Sequence, residues 1–563
     1  MTDDSTPAFK FIDLFAGIGG FHAAMEAFGG ECVYAVEIDE AAALVYEKNW
    51  GHTAFGDITK DADDDRDIMN VPDHDVLCAG FPCQPFSKSG AQRGMEEARG
   101  TLFFNILSIV KKKRPKVVLL ENVRNLIGPQ HEHEWDVIIK SLRQEGYHVS
   151  ARPAIFSPHL LPAWMGGTPQ VRERVFITAT LIPDPLRDLL IPVDDKGEVD
   201  FKELVVKPVA QMSHRFPVAE GDGVEDHRRH IRTGSQCDCD LFDPGDEQKG
   251  WNLLASAIIR ADDPEPEGVQ LRLNENETLW IDAWDEFEQI VRTASGKRLE
   301  GFPYWADSWR DFPELQALVA ARKFPQPQLV AKDGGKRYAP RTDMPDDFVP
   351  LSVKRPPISP SDPKWKQSHL RRNYDVFEKH FREIIAWAYR WGVYTDLFPA
   401  SRRKLEWQAQ GASRLWETVM HFRPSGIRAK RPTYLPALVA ITQTSIVGPL
   451  ERRLSPRETA RLQGLPEDFI FGTQKAAATY KQMGNGVAVG AVWHVFREHV
   501  ERDQELLLSE HWQGEDAERA ARIFDAVKVA PHSPKDELAK HRPAKPDLKE
   551  PTPHTHEATN LLP

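Results

Sequence analysis

Through the first 185 residues, short apolar runs alternate with amphipathic stretches. Phe11-Ile12-Asp13-Leu14 is an apolar strand that meets a glycine-rich turn, Gly17-Ile18-Gly19-Gly20, and then a helix from about His22 to Phe28. Cys32 to Val36 predicts a second strand, Val76 to Ala79 a buried one, and Lys116 to Leu120 another. Between them, Thr101 to Lys112 places Leu102, Phe103, Ile106, Leu107 and Val110 at helical spacing, and Trp135 to Glu145 predicts a further helix. Thr168 to Ile177 runs into one more strand. Strands alternating with helices predict an open α/β sheet, which places its chemistry at the carboxyl ends of its strands.

The rhythm then changes. Residues 185–450 are rich in proline and tryptophan and show no βαβ alternation. Lys364 to Trp391 predicts a long amphipathic helix with Leu370, Tyr374, Phe377, Phe381, Ile384, Ile385 and Trp387 as its core face. It reads as an accessory helical subdomain. Ala437 to Ile441 reads as a strand returning to the core, and Glu501 to Val529 as helix. Ala530 to Pro563, rich in Pro, Lys, His and Glu, is expected to be disordered. Asp61 to Asp75 reads as a solvated acidic loop and Gly90 to Gly100 as a mobile one.

Length and charge narrow the picture. A chain of 563 residues predicts two or more domains. No apolar run is long enough to span a membrane, and the polar start, Met1 to Lys10, lacks a signal-peptide apolar region. Five cysteines, an odd number, predict a reducing, cytoplasmic setting. The net charge of −12 means that any nucleic-acid surface must be local. Such a region exists: residues 401–463 carry twelve Lys/Arg against four Asp/Glu. His227, His230, Cys237 and Cys239 are spaced too tightly for the usual zinc pattern, so no metal site is predicted.

The candidate chemistry clusters at strand ends. Gly80-Phe81-Pro82-Cys83-Gln84-Pro85 follows a buried strand, and its two prolines exclude helix or ladder, so Cys83 is presented by a stiff loop while Cys78 is buried in the strand. Glu37, ending the second strand, suits the two hydroxyls of a ribose, with a helix cap as the plain alternative. Asp57 either accepts from an adenine amino group or caps a turn. The glycine turn lacks both the full dinucleotide spacing and a Walker lysine, which favours a nucleoside ligand without a pyrophosphate. Glu121 ends the strand after the cysteine loop. Arg172 and Arg174 alternate, so both are expected on one face, where two guanidiniums suit an anion or an electron-rich base.

In this order, six stretches resemble the DNA cytosine-5 methyltransferase family. They are Asp13 to Gly20, Gly80 to Ser87, Glu121-Asn122-Val123, Gln170 to Arg174, Arg457 to Gly464 and Tyr480 to Val487. The resemblance implies an α/β, Rossmann-like sheet that binds S-adenosylmethionine, with an inserted target-recognition domain. The implied division is a first core part at 9–185, a recognition region at 186–450, a returning core part at 451–500, a C-terminal helix at 501–529 and a disordered tail at 530–563. It implies that Cys83 is the nucleophile, that Glu121 acts at ring N3 of cytosine, that Arg174 holds the base at O2 and that Arg172 supports the loop. Phe15, Gly17, Ile18, Gly19, Glu37, Ile38, Asp57, Ile58, Pro82, Leu102, Asn485 and Val487 would line the cofactor pocket. Ser89 would fill the space of a flipped base, while Arg423, Ser425, Arg428, Lys430 and Arg431 are candidates for base or phosphate contact. The implied partner is double-stranded DNA, with a cognate restriction endonuclease as functional counterpart to a monomer. A transfer-RNA methyltransferase is the nearest alternative, disfavoured by the long insertion. The intact Cys83, Glu121, Arg172 and Arg174 argue against an inactive relative, and the glycine spacing argues against a dinucleotide oxidoreductase.

Overall fold

The computed structural model describes residues 7–82, 102–128, 131–149, 154–190, 251–260, 263, 270–332, 335–439 and 444–540. The chain forms two compact units. One unit draws on the chain up to Thr168, on Arg172–Asp243 and on everything from Gln463; the other comprises Pro169–Val171 and Pro244–Leu462.

The first unit is built on a seven-stranded sheet. Its elements are β1 (Phe9–Leu14), α1 (Gly20–Ala27), β2 (Gly30–Val36), α2 (Glu40–Trp50), β3 (Val76–Gly80), α3 (Leu102–Lys113), β4 (Val117–Val123), α4 (Glu132–Gln144), β5 (Tyr147–Val149), β6 (Ala154–Phe156) and β7 (Arg174–Leu181). The order is β2-β1-β3-β4-β7-β5, with β6 also on β7. The first four run parallel, and β7 is antiparallel to its neighbours. This is a doubly wound α/β sheet, as the alternating pattern predicts. Alternation fixes both faces. Ile12 and Leu14 share a core with Val118, Leu120, Ile106 and Ile138. Phe9 and Phe11 face the other way, where Phe9 meets Phe496 and Phe28 stacks on Trp493. Those last partners lie on the helix Val489–Arg502, so the chain's far end completes the layer over its beginning.

Several local expectations are corrected. Asp61 to Asp75 is not a free acidic loop: it holds a small hairpin, and Lys111, Lys112 and Lys113 pair with Asp64, Asp67 and Asp73 at 3.0, 2.8 and 2.8 Å. Residues 501–529 are not one helix. The helix Val489–Arg502 stops at Asp503, whose buried carboxylate accepts from Arg502 and Thr180, and a new helix, Glu515–Val529, starts after Gly514 in the left-handed region. The chain after Ala530 is not structureless. Arg497 donates to the Ala530 and Pro531 carbonyls at 2.7 Å, and a helical turn, Lys535–Leu538, follows. Residues 541–563 lie outside the described residues.

The second unit contains a six-stranded sheet in the order Pro303–Trp305, Lys404–Gln408, Gly426–Lys430, Val419–Arg423, Ile446–Val447, Arg452–Arg453. Its inner face, with Leu405, Trp407, Met420, Phe422, Ile427 and Ala429, packs into one core with the helices Glu275–Ser295 and Lys364–Trp391. The long helix therefore covers this sheet rather than standing apart. Two of the buried tryptophans also satisfy polar backbone: Trp284 donates to the Arg402 carbonyl at 2.8 Å and Trp387 to that of Ala283 at 2.6 Å. The strand expected at 437–441 is displaced. Leu435–Pro436 pairs with Gln170–Val171, the Gln170 side chain then takes the Leu438 N–H at 3.1 Å, and Ala440 and Ile441 lie outside the described residues. Among the described residues, no helix is long and apolar enough to cross a membrane.

Trp493 is buried, and its ring lies 3.5 Å from that of Phe28. Trp493→Ala is expected to destabilise the first unit by about 3–5 kcal/mol. Urea unfolding followed by circular dichroism should show an earlier transition for that unit alone.

Candidate active site

The carboxyl end of β1 sets the first half of the site. Phe15 (φ 57°), Gly17 (φ 56°) and Gly19 (φ 90°) all take left-handed backbone, and α1 begins directly after Gly19. The turn is locked from below by Trp50, missed by the sequence reading, whose indole donates to the Ile18 carbonyl at 3.0 Å. A Cβ on Gly19 would lie 2.0 Å from that indole nitrogen, whereas one on Gly17 would meet nothing within 4 Å. The lip of the turn is therefore open and its floor is closed. Asp13, at the base, is buried; its carboxylate accepts the His22 N–H at 3.2 Å, and burial above all pushes its pKa up.

Glu37 braces this turn from β2. Its two carboxylate oxygens accept the Gly17 N–H at 2.8 Å and the Asp39 N–H at 2.7 Å. Each oxygen has two lone pairs, so each retains one for a ligand hydroxyl. Beside it, Ile38 is 71% exposed and Phe55, bridged to Glu37, is 60% exposed. Two large apolar side chains bared at the strand ends suit the face of a flat ring. Phe55 escaped the sequence reading, although it lies two positions before Asp57. Asp57 accepts from Thr59 N and Oγ1 at 3.0 and 2.8 Å, bonds that hold its carboxyl below the usual range, and it caps a short helix in which Ile58 is buried. Pro82 is exposed and Leu102 half-buried.

The returning chain closes the pocket. The helix Ala476–Asn485 ends against α1, with the Val487 carbonyl and side chain filling the space that a Cβ on Gly20 would need. Lys481 pairs with Asp39 at 2.9 Å, and Asn49 exchanges two bonds with the Ile470 backbone. Asn485 is exposed and Val487 half-buried.

The second half of the site lies at the ends of β3 and β4. Glu121 pairs with Arg174 at 2.7 Å, and both are largely buried. Burial raises the Glu121 pKa, while Arg174 and Arg172 oppose the rise. Asn122 donates to the Phe81 carbonyl at 2.9 Å, fixing the start of the loop that leads to Cys83. Cys83 and Ser89 lie outside the described residues. Cys78 is fully buried, and its thiol pKa is pushed up by that burial. Arg172 and Arg174 do not share one strand, because the ladder breaks between Val171 and Arg174. Arg174 turns to Glu121. Arg172 is buried and donates to the carbonyls of Gly484 and Gly486 at 3.0 and 2.6 Å. Burial and the nearby Arg174 bring its pKa down to about 9, so it stays charged at neutral pH.

The profile of the C-5 cytosine-specific DNA methylase family matches residues 9–501. The chain belongs to that family. The methylase is 66% identical over 501 residues to the Type II methyltransferase M.AluI of Cellulosimicrobium cellulans, covering 89% of this chain and 93% of that protein. It is 41% identical over 222 residues to the Type II methyltransferase M.HhaI of Haemophilus parahaemolyticus, covering 36% of this chain and 64% of the relative. The methylase is thus a DNA cytosine-5-methyltransferase.

The five basic-region candidates lie on one hairpin of the methylase's second unit and the residue after it. The strands Val419–Arg423 and Gly426–Lys430 pair with Arg423 opposite Gly426 and His421 opposite Arg428. Their outer face carries His421, Arg423, Arg428 and Lys430. Arg428 bonds Glu406 at 2.7 Å, and Arg423 lies 3.8 Å from the same carboxylate. Burial and the facing Arg423, Arg453, Arg428 and Lys430 drop the His421 pKa to about 4, leaving it neutral. Burial, Arg428 and Arg423 lower that of Lys430. Ser425 is exposed at the turn, and Arg431 donates to the Gln410 carbonyl at 2.5 Å.

The two glycines of the turn predict opposite outcomes. Gly19→Ala should prevent the turn from forming and yield little folded protein. Gly17→Ala should fold at a cost of about 1–2 kcal/mol for its left-handed backbone. Thermal melting followed by circular dichroism separates the two.

Proposed function

We propose that the methylase transfers a methyl group from S-adenosylmethionine to carbon 5 of a cytosine flipped out of a specific duplex DNA sequence. The observation that carries this reading is the convergence of Glu121, Arg174 and the Phe81 carbonyl at adjacent strand ends, with Cys83 two residues beyond Phe81. When bound, S-adenosylmethionine supplies the methyl group. The residues present fit it. The open lip at Gly17 admits the ligand past a turn with no side chain, and Glu37 keeps acceptors for the ribose hydroxyls. Ile38, joined by Phe55, offers an apolar surface to the adenine, with Asp57 and Ile58 beyond and Phe15, Ile18, Gly19, Pro82, Leu102, Asn485 and Val487 around the rest.

The target carbon is a poor nucleophile and is buried in the duplex, so the base must leave the stack. Cys83, as thiolate, adds to carbon 6 and raises the electron density at carbon 5. Glu121, whose pKa burial raises, holds ring N3 where charge collects, and Arg174 holds O2. Their mutual ion pair keeps both side chains oriented before the base arrives. Arg172 acts by position, fixing the returning Gly484–Gly486 backbone. Once carbon 5 has taken the methyl group, a base accepts the carbon-5 proton, the bond between carbon 6 and the Cys83 sulfur breaks, and 5-methylcytosine is left. Ser89 fills the vacated place in the duplex. Arg423, Ser425, Arg428, Lys430 and Arg431 contact bases and phosphates.

The likeness to a Type II methyltransferase over most of both chains supports a role in protecting host DNA beside a cognate restriction endonuclease. We place the methylase in the cytoplasm as a monomer.

Labelled methyl groups should pass from S-adenosylmethionine to duplex DNA in preference to transfer RNA; failure with every duplex sequence tried would refute the reading. Cys83→Ala should retain cofactor binding and lose transfer, and the wild type should be trapped covalently on DNA containing 5-fluorocytosine. Glu121→Gln is expected to lower turnover by about 10²–10⁴-fold. Single-turnover kinetics checks this, and a change of less than twofold would remove Glu121 from the chemistry.

A further inference from the structure

A cavity of about 270 Å³ opens at the edge of the six-stranded sheet in the second unit, one strand over from the hairpin that carries the arginine candidates. Trp305, from the edge strand, forms one wall. Trp365 and His369, one turn apart on the long helix, form the other. The His369 ring lies 5.9 Å from that of Trp305 and 6.0 Å from that of Trp365. Lys404 and Glu406, from the next strand, complete the lining, with the Lys404 ammonium 4.7 Å from the Trp305 ring centre. Trp365 is 60% exposed, although most of the large aromatics in this unit are buried in its core.

Aromatic rings grouped around a cavity in this way suit either a cation or a flat heterocycle. The charges decide between them. Lys404 already occupies the cation position over Trp305, and Arg372 lies 4.9 Å from the Phe302 ring at the same cavity. Burial, Lys404 and Arg372 all lower the His369 pKa, so the imidazole is neutral. Glu406 and Glu300 are already paired with Lys404 and Arg372, at 3.7 and 3.4 Å, so a second cation would have to compete for them, whereas a flat base needs only the ring faces.

Glu406 links the cavity to the basic face. Its Oε2 takes Arg428 at 2.7 Å, while its Oε1 has Lys404 at 3.7 Å, beyond hydrogen-bond distance. Beside its ion pair with Lys404, that oxygen keeps a lone pair to accept from an exocyclic amino group, as a carboxylate accepts from cytosine N4. Arg423, Arg428 and Lys430 continue from Glu406 across the same outer face, a track for the phosphates on either side.

We propose that the cavity between Trp305, Trp365 and His369 is a second nucleobase site, taking one unpaired base of the bound DNA, distinct from the target cytosine, with Glu406 preferring bases that carry an amino group. The inference rests on the reading that DNA lies against the outer sheet face. Base–aromatic stacking of this kind tolerates any base, and Glu406 adds a bias against thymine, the one DNA base without an exocyclic amino group.

The test uses the full chain and a set of duplexes that wild type methylates, each with one extra unpaired nucleotide at a different distance from the methylated cytosine. For at least one position the bulged duplex should bind about tenfold tighter than its paired parent, by fluorescence anisotropy. In Trp365→Ala, a change at an exposed side chain, that ratio should fall to one. In Glu406→Gln the preference for cytosine or adenine over thymine in the bulge should disappear. No gain at any position, or a gain that survives Trp365→Ala, overturns the proposal. Methyl transfer to the paired duplexes, measured in parallel, reports separately on the DNA reading itself.

Discussion

One buried guanidinium holds the catalytic unit together. Arg172 lies between the two chain segments that make the site, and its terminal nitrogen donates to two carbonyls, Gly484 and Gly486, more than 300 positions away. Burying a charge without partners is prohibitive, so those carbonyls are a condition of Arg172 lying where it does. In return, the guanidinium fixes a glycine-bounded backbone that has few side chains of its own to anchor it. That backbone delivers Val487 against Gly20, the first residue of the first helix.

The Glu121–Arg174 pair shows how the same unit tunes charge. Each partner alone in this interior would be costly, and the pair holds both side chains in one orientation. Desolvation raises the Glu121 pKa above the usual carboxylate value, and the two arginines oppose that rise. A third charge, on the Asp13 carboxyl, is pushed toward its neutral form at the base of the glycine turn.

What was legible in the sequence was local. The glycine turn, the strand ends at Glu37 and Glu121, and the long helix from Lys364 to Trp391 each follow from period, turn chemistry and residue type within a short window. Contacts made across the chain were not legible. Trp50 looks like the end of an ordinary helix until its indole meets the Ile18 carbonyl, and Phe55 looks like core until the fold leaves it bare. The alternation of Arg172 and Arg174 suggested one face, but the strand stops between them and sends the two guanidiniums to different partners. The helix break at Asp503 was hidden for the same reason. Its cause is a buried bond to Thr180, a residue 323 positions earlier.

The discontinuity of the first unit bears on how the protein is made. Its leading strands are covered by Phe496 and Trp493, and its pocket by the segment around Val487, so the growing chain cannot finish this unit until nearly all of it has left the ribosome. The second unit, almost continuous from Pro244 to Leu462, is complete earlier. Synthesis thus favours an order in which the later-starting unit matures first, while the leading sheet waits with its apolar face open to chaperones.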